Sequence, residues 1–339
     1  MALTQVQPGM LASDSQYTGF KNRIINGAMV IDQRNAGASV TLNSGDEKFP
    51  IDRFSTYQIT GTGVVTAQQS STAPTGFTNS IKLTTTTANA SLSAAQRWQF
   101  LQQIEGYNTA DLGFGTANAK TVTLSFWVYS SLTGTFAGSL TNSAADRSNV
   151  FNYTISLANT WEQKTVTITG DTSGTWLTTT GTGIKVYFSL GAGTNYNTTA
   201  GAWASGFFIS TSGATSVIGT LNATFYITGV QLEKGSTATS FDYRPITTEF
   251  QLCQRYFQEY MSSNGAIFRA NDSTGIKYYW MPFAVVMRTS PTMSIGTPIY
   301  SNANTAAWAN TGQDGSEANF NATGTTGYVF IPWTATAEL

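Results

Sequence analysis

Acid–base chemistry in this chain would have to rest on carboxylates. With no histidine and one cysteine in 339 residues, there is no imidazole base near neutral pH and no His metal ligand. An internal disulfide and a multi-cysteine zinc site are excluded on the same count. Glu105, Asp111, Asp146 and Asp171 fall on expected loops or strand ends, where a pair could serve glycoside hydrolysis. Nothing in the sequence sets their separation, and most solvated carboxylates have no catalytic role. Carboxylates and carbonyls at a sheet rim would also suit calcium, but no D-x-D-x-D loop is present. No cofactor is therefore expected, with calcium the only cation in view.

The second available chemistry is stacking. The chain carries 8 Trp, 15 Tyr and 20 Phe among only 10% charged residues, against a usual charged share of about 25%. Trp127 and Tyr129 share the polar side of one expected strand with Thr123 and Ser125. Lys185 with Tyr187, and Tyr226 with Thr228, occupy the corresponding sides of two others. Brought together, these strands would present rings among hydroxyls, the surface on which sugars stack their C–H faces. The same rings would equally suit a subunit interface or ordinary packing. Tyr278, Tyr279, Trp280, Trp308 and Trp333 form a second group nearer the C-terminus, a further candidate contact set if that part is distal.

Other classes are excluded. Gly113-Phe114-Gly115 lacks a following helix and the lysine of a phosphate loop. Seventeen Lys+Arg spread thinly, with a net charge of -1, give no field for nucleic acid or anionic lipid. No apolar run is long enough to span a bilayer, and the first residues do not read as a signal peptide. Cys253 is compatible with synthesis in a reducing cytoplasm.

The elements that must position these residues are strands. Residues 1–22 are polar and aperiodic, and read as an arm. From 23 to 245, short segments of period two alternate with Gly/Thr/Ser/Asn turns. In Thr121–Ser130, Val122, Leu124, Phe126 and Val128 share the apolar side. Phe151–Leu157, Lys164–Thr169, Ile184–Leu190 and Ala223–Leu232 alternate likewise, the last with a bulge expected at Gly229. Many half-buried strands with no helix between them predict an all-β, antiparallel sandwich. Over 247–261, Thr248-x-x-Gln251 reads as a capping box. Phe250, Cys253, Phe257 and Tyr260 recur at helical spacing, which predicts one short helix with Cys253 packed. The rest, 246–339 with the helix, reads as a smaller C-terminal β unit. Pro282 and Pro332 suit edges or breaks, and the last strand should be tied into a sheet or a subunit interface.

Three stretches then carry a resemblance. Asn22-Arg23-Ile24-Ile25-Asn26-Gly27-Ala28-Met29 is followed by Ile31-Asp32-Gln33-Arg34-Asn35. Phe126-Trp127-Val128 and Trp161-Glu162-Gln163-Lys164 lie mid-chain. Val230-Gln231-Leu232-Glu233-Lys234-Gly235 precedes Phe241-Asp242-Tyr243-Arg244, with Cys253-Gln254-Arg255-Tyr256-Phe257 beyond. Together, over roughly residues 20–260, they resemble tailed-bacteriophage virion proteins of the tail fibre or carbohydrate-binding-like group. The resemblance implies a jelly-roll like that of carbohydrate-binding modules and a non-enzymatic structural role in the virion. It also implies, with the low charge, a homotrimer. The expected partners are further copies of the chain, other virion proteins through the 1–22 arm, and a host cell-surface glycan. No nucleic acid or membrane insertion is expected. Capsid decoration as a head fibre, and a polysaccharide depolymerase, are the alternatives. The motif residues themselves read first as scaffold.

Overall fold

The computed structural model describes residues 20–339 apart from 43–44, 46, 60, 261–265 and 271–273. The arm expected over 1–22 lies, for residues 1–19, outside the described residues. The chain divides into two compact units at Arg244/Pro245.

The first unit is a sandwich of two antiparallel sheets. Its strands are β1 (Val40–Thr41), β2 (Glu47–Ile51), β3 (Phe54–Ile59), β4 (Val64–Ser70), β5 (Ser80–Thr87), β6 (Arg97–Glu105) and β7 (Val122–Ser130). They continue with β8 (Gly134–Thr141), β9 (Arg147–Ile155), β10 (Glu162–Ile168), β11 (Thr182–Ala192), β12 (Trp203–Ser205) and β13 (Thr224–Lys234). One sheet has the order β1-β4-β5-β13-β7-β10 and the other β12-β9-β8-β11-β6-β3-β2. The apolar side of each strand buries between them, as period-two alternation requires. Phe126 of the six-stranded sheet meets Phe188 of the seven-stranded one at 5.0 Å between ring centroids. Phe225 and Phe136 meet across the same core at 5.9 Å. The expected bulge is present: the β13–β7 register shifts between Thr228 and Gln231, and Gly229 has φ +61°.

The residues that carry the resemblance close this sandwich. Asn22 donates from Nδ2 to the Val230 carbonyl and accepts from the Leu232 and Ile24 amides at its Oδ1. Gln231 accepts the Asp242 amide, Asp242 accepts those of Lys21 and Asn22, and Arg244 donates to the carbonyls of Ile24 and Asn22. A side chain at Gly27 would place its Cβ 2.1 Å from the Val230 carbonyl oxygen, so only glycine fits. Phe241 and Tyr243 fold back over Phe77, at 5.1 and 5.6 Å between centroids. These residues act as a latch between both ends of the unit.

The second unit begins with α1 (Ile246–Gln254), the only α-helix among the described residues. Then come β14 (Phe257–Tyr260), β15 (Ala266–Arg269), β16 (Gly275–Pro282), β17 (Thr292–Ile295), β18 (Ile299–Ser301), β19 (Ala303–Ala309), β20 (Gly315–Ala322), β21 (Tyr328–Ile331) and β22 (Trp333–Thr336). Three antiparallel sheets of three strands result: β14-β22-β17, β15-β21-β18 and β16-β20-β19. Pro332 breaks the last apolar run so that β21 and β22 serve different sheets. Pro282 ends β16, an edge strand.

The helix is shorter than its apolar spacing predicts. Its N-cap is Pro245, no side chain caps it, and Thr248 of the expected capping box lies inside it. Cys253 is fully buried, but Phe257 and Tyr260 leave the helix and pair with Thr336 and Trp333 in β22. A long-range ladder of backbone bonds outweighs the weak helical preference of four residues.

Candidate functional site

The sandwich core takes one side of every strand, so any site on the six-stranded sheet must use the other. On that outer side, backbone register aligns a row of large side chains. Tyr129 of β7 lies opposite Tyr226 of β13, Tyr226 opposite Lys82 of β5, and Lys82 opposite Gln68 of β4. Directly opposed residues hold their Cβ atoms about 5 Å apart, close enough for rings to touch. The Tyr129 and Tyr226 rings meet at 5.1 Å, near perpendicular at 80°. Trp161, immediately before β10, adds a third ring at 5.5 Å from Tyr129 and 6.3 Å from Tyr226. The Lys82 ammonium sits 5.7 Å above the Tyr226 ring, a cation–π contact. Trp127 occupies the next row, between Gln163 and Thr228. Gly229 lets Trp127 and Phe77 approach from either side, since a Cβ there would lie 3.0 and 2.7 Å from their rings.

The result is a faceted surface of half-buried rings, not a flat platform. It runs across the sheet from Trp161 to Lys82, with the amides of Gln68 and Gln163 on its flanks. Such a surface can hold a ligand with apolar faces and polar rims by stacking and amide hydrogen bonds.

Trp161 is held by its neighbour. Glu162 Oε1 accepts the Ser156 and Leu157 amides at 2.8 and 2.9 Å, and Oε2 accepts Lys164 Nζ at 2.6 Å. Partial burial pushes the Glu162 carboxyl upward, but the Lys164 bond and the two amides outweigh it and leave the pKa below its ordinary value. A depressed carboxylate stabilises the fold above its unfolded pKa, and this is lost as pH falls through the folded value. The wild type should therefore exceed Glu162→Gln in stability at neutral pH by about 1 kcal/mol or less, the pair being partly exposed. The two unfolding curves should converge in acid, below the ordinary carboxylate range. A difference that persists there would count against this brace.

The five residues expected to form one platform separate into two groups. Trp127, Tyr129 and Tyr226 share the six-stranded sheet. Lys185 and Tyr187 belong to β11, in the other sheet, and so cannot join them. Tyr187 does face away from the core, as its alternation predicts, yet it is only 3% exposed. The segment 193–213 folds over that side of the sheet. Its Phe207 packs on Tyr187 at 5.5 Å, while Arg97 stacks over Tyr196 at 4.5 Å and Phe207 at 4.7 Å. Burial raises the Tyr187 pKa and lowers that of Lys185, as expected for groups cut off from water. Trp161 and Lys82 were not anticipated as site residues. The alternation Trp161, Gln163, Thr165 could have shown the first; nothing local marks the second.

The second aromatic group also divides. Tyr278 and Trp280 are 60% and 52% exposed, alternating with Ile276 on the outer side of β16. Tyr279, Trp308 and Trp333 instead pack with the core of the second unit, Trp333 buried and the other two half-buried. The cause is the pleat: neighbours in β16 point to opposite sides. Tyr279 stacks on Phe320 at 6.0 Å and Trp308 meets Trp333 at 6.4 Å.

The four candidate carboxylates have other occupations. Glu105 is buried. Asp111 pairs with Arg23 at 2.9 Å, Asp146 accepts Asn142 Nδ2, and Asp171 holds Arg147 through two bonds of 2.7 and 2.8 Å. The Asp171 bond raises the Arg147 pKa against its burial. Among the described residues, no three His, Cys, Asp or Glu side chains come together as a metal site.

Fold and surface together define an all-β jelly-roll sandwich with an aromatic outer face, followed by a smaller β unit. No protein-family model and no curated protein sequence matches the chain. Solved structures similar to it include the enzymatically active domain of bacteriophage CBA120 tailspike protein 4. That likeness has a TM-score of 0.34 at 15% identity, over 63% of this chain and 21% of that one. The match thus spans about a fifth of the tailspike chain. A family 11 carbohydrate-binding module of the Clostridium thermocellum cellulase Lic26A-Cel5E is similar with a TM-score of 0.31 at 10% identity, over 60% and 99%. A putative sugar binding protein of Bacteroides thetaiotaomicron gives 0.35 at 13%, over 63% and 100%.

Proposed function

We propose that the chain is a non-enzymatic attachment protein of a phage virion, a tail fibre or spike whose sandwich binds a glycan of the host surface. The ring surface Trp161–Tyr129–Tyr226, with Trp127 beside it, carries the glycan-binding part of this reading. It offers stacking faces and amides. Weak binding at each copy would be multiplied by repetition on a homotrimer. Support for self-association comes from the second unit, where Ile276, Tyr278 and Trp280 form an exposed apolar row on the edge strand β16.

Immunogold labelling of intact particles with antibody against residues 265–339 tests the virion role. Label at the tail periphery is the expected result. Label over the head would transfer the protein to capsid decoration, and unlabelled particles would overturn the virion reading.

A further inference from the structure

A pocket of about 500 Å³ opens on the outer side of the seven-stranded sheet, lined by Asn152, residues 197–200, Thr211 and Ser212. Asn152 stands on β9 between Phe151 and Tyr153, whose rings turn into the core, so its amide faces outward. The opposite walls belong to the segment 193–213.

These walls are formed in advance. Asn197 bridges to Ser210, the Thr198 amide donates to the Ser210 carbonyl at 3.0 Å, and the Ser210 amide donates to Tyr196 at 3.1 Å. Gly201 ties the segment to Val150 at 2.8 Å, and Thr211 Oγ1 donates to Asn152 Oδ1 at 3.0 Å. The Arg97 guanidinium, stacked over Tyr196 and Phe207, fastens the segment to the sheet. The side chains are short and partly tied, so ordering them around a ligand costs little.

The chemistry of the lining selects the ligand. Every lining residue is uncharged, and all but Ala200 bear an amide or a hydroxyl. An anion would find no cation in the lining, and an apolar molecule would leave amides unpaired. A ligand dense in hydroxyls can both donate and accept around such a wall. The volume lies in the ordinary range for small-molecule sites, with room for about one or two sugar rings.

We propose that this pocket binds a neutral saccharide unit, as a site separate from the ring surface on the other sheet. It stands on different residues and does not depend on the ring surface binding anything.

Saturation-transfer difference NMR on the full chain, with galactose, glucose and N-acetylglucosamine as probes, tests it. At least one sugar should give a signal that Trp161→Ala leaves intact. Thr211→Val should weaken that binding about tenfold by removing one hydroxyl, and Ser212→Leu should abolish it by filling the pocket. Ser212 is exposed, and unchanged thermal unfolding would confirm that the variant is folded. The site is overturned if no probe gives a signal, or if the signal that remains in Trp161→Ala survives both pocket variants made in that background. A signal lost only in Trp161→Ala would also overturn it, while supporting the ring surface.

Discussion

Replacing Asn26 by alanine should lower the stability of the first unit by about 3–5 kcal/mol, among the largest single-residue effects available. Asn26 is fully buried, with φ +59°. Its Nδ2 donates to the carbonyls of Ile31 and Asp52 at 2.8 and 3.0 Å. Its Oδ1 accepts the amides of Val30 and Ile31, each at 3.0 Å. Alanine would leave these backbone groups buried and unpaired, at about 1–3 kcal/mol for each group that water cannot reach. It would also hold a left-handed backbone that costs an L-residue about 1–2 kcal/mol and that asparagine tolerates. The losses overlap, so the total stays below their sum. Denaturant unfolding gives the difference directly. Asn26→Gly separates its parts, relieving the backbone term while keeping the hydrogen-bond loss. Alanine within 1 kcal/mol of wild type would mean that residues 24–31 rearrange freely, against the latch described for this segment.

Trp161→Ala should reduce binding of the full chain to its glycan by about 10- to 100-fold, with little change in unfolding. The indole lies at the end of the ring row and outside the sandwich core, touching Tyr129 and Tyr226. Its removal deletes stacking area at the surface and leaves no core cavity. A glycan array with wild type, Trp161→Ala and Tyr187→Phe provides the comparison. Tyr187 lies under the segment 193–213, so its variant should bind as wild type does. Equal binding by wild type and Trp161→Ala would remove the ring surface from the function. Loss of the oligomer in Trp161→Ala, with binding per chain retained, would make the rings a subunit contact.

Much of the architecture was legible in the order of residues. Val122, Leu124, Phe126 and Val128 point inward because successive side chains of a strand take opposite sides, whatever the partner strand. The bulge was legible for a similar reason. Gly229 interrupts an alternating run, and its positive φ is open to glycine at no steric cost.

What the local pattern could not carry was membership of a sheet. Strands β7, β11 and β13 alternate in the same way, yet β11 pairs with β6 and β8 while β7 pairs with β10 and β13. Pairing is decided over long sequence separations, as between Lys82 and Tyr226, by loop closure and by the fit of the two inner sides. Only the tertiary structure therefore separated Lys185 and Tyr187 from Tyr129 and Tyr226. It alone laid residues 193–213 over one sheet, brought Trp161 and Lys82 to the other, and turned Phe257 from helix to strand. The sequence by itself determined which side of each strand is apolar, because pleating is a property of neighbours. Which rings share a surface was decided by the fold, because register is a property of the whole chain.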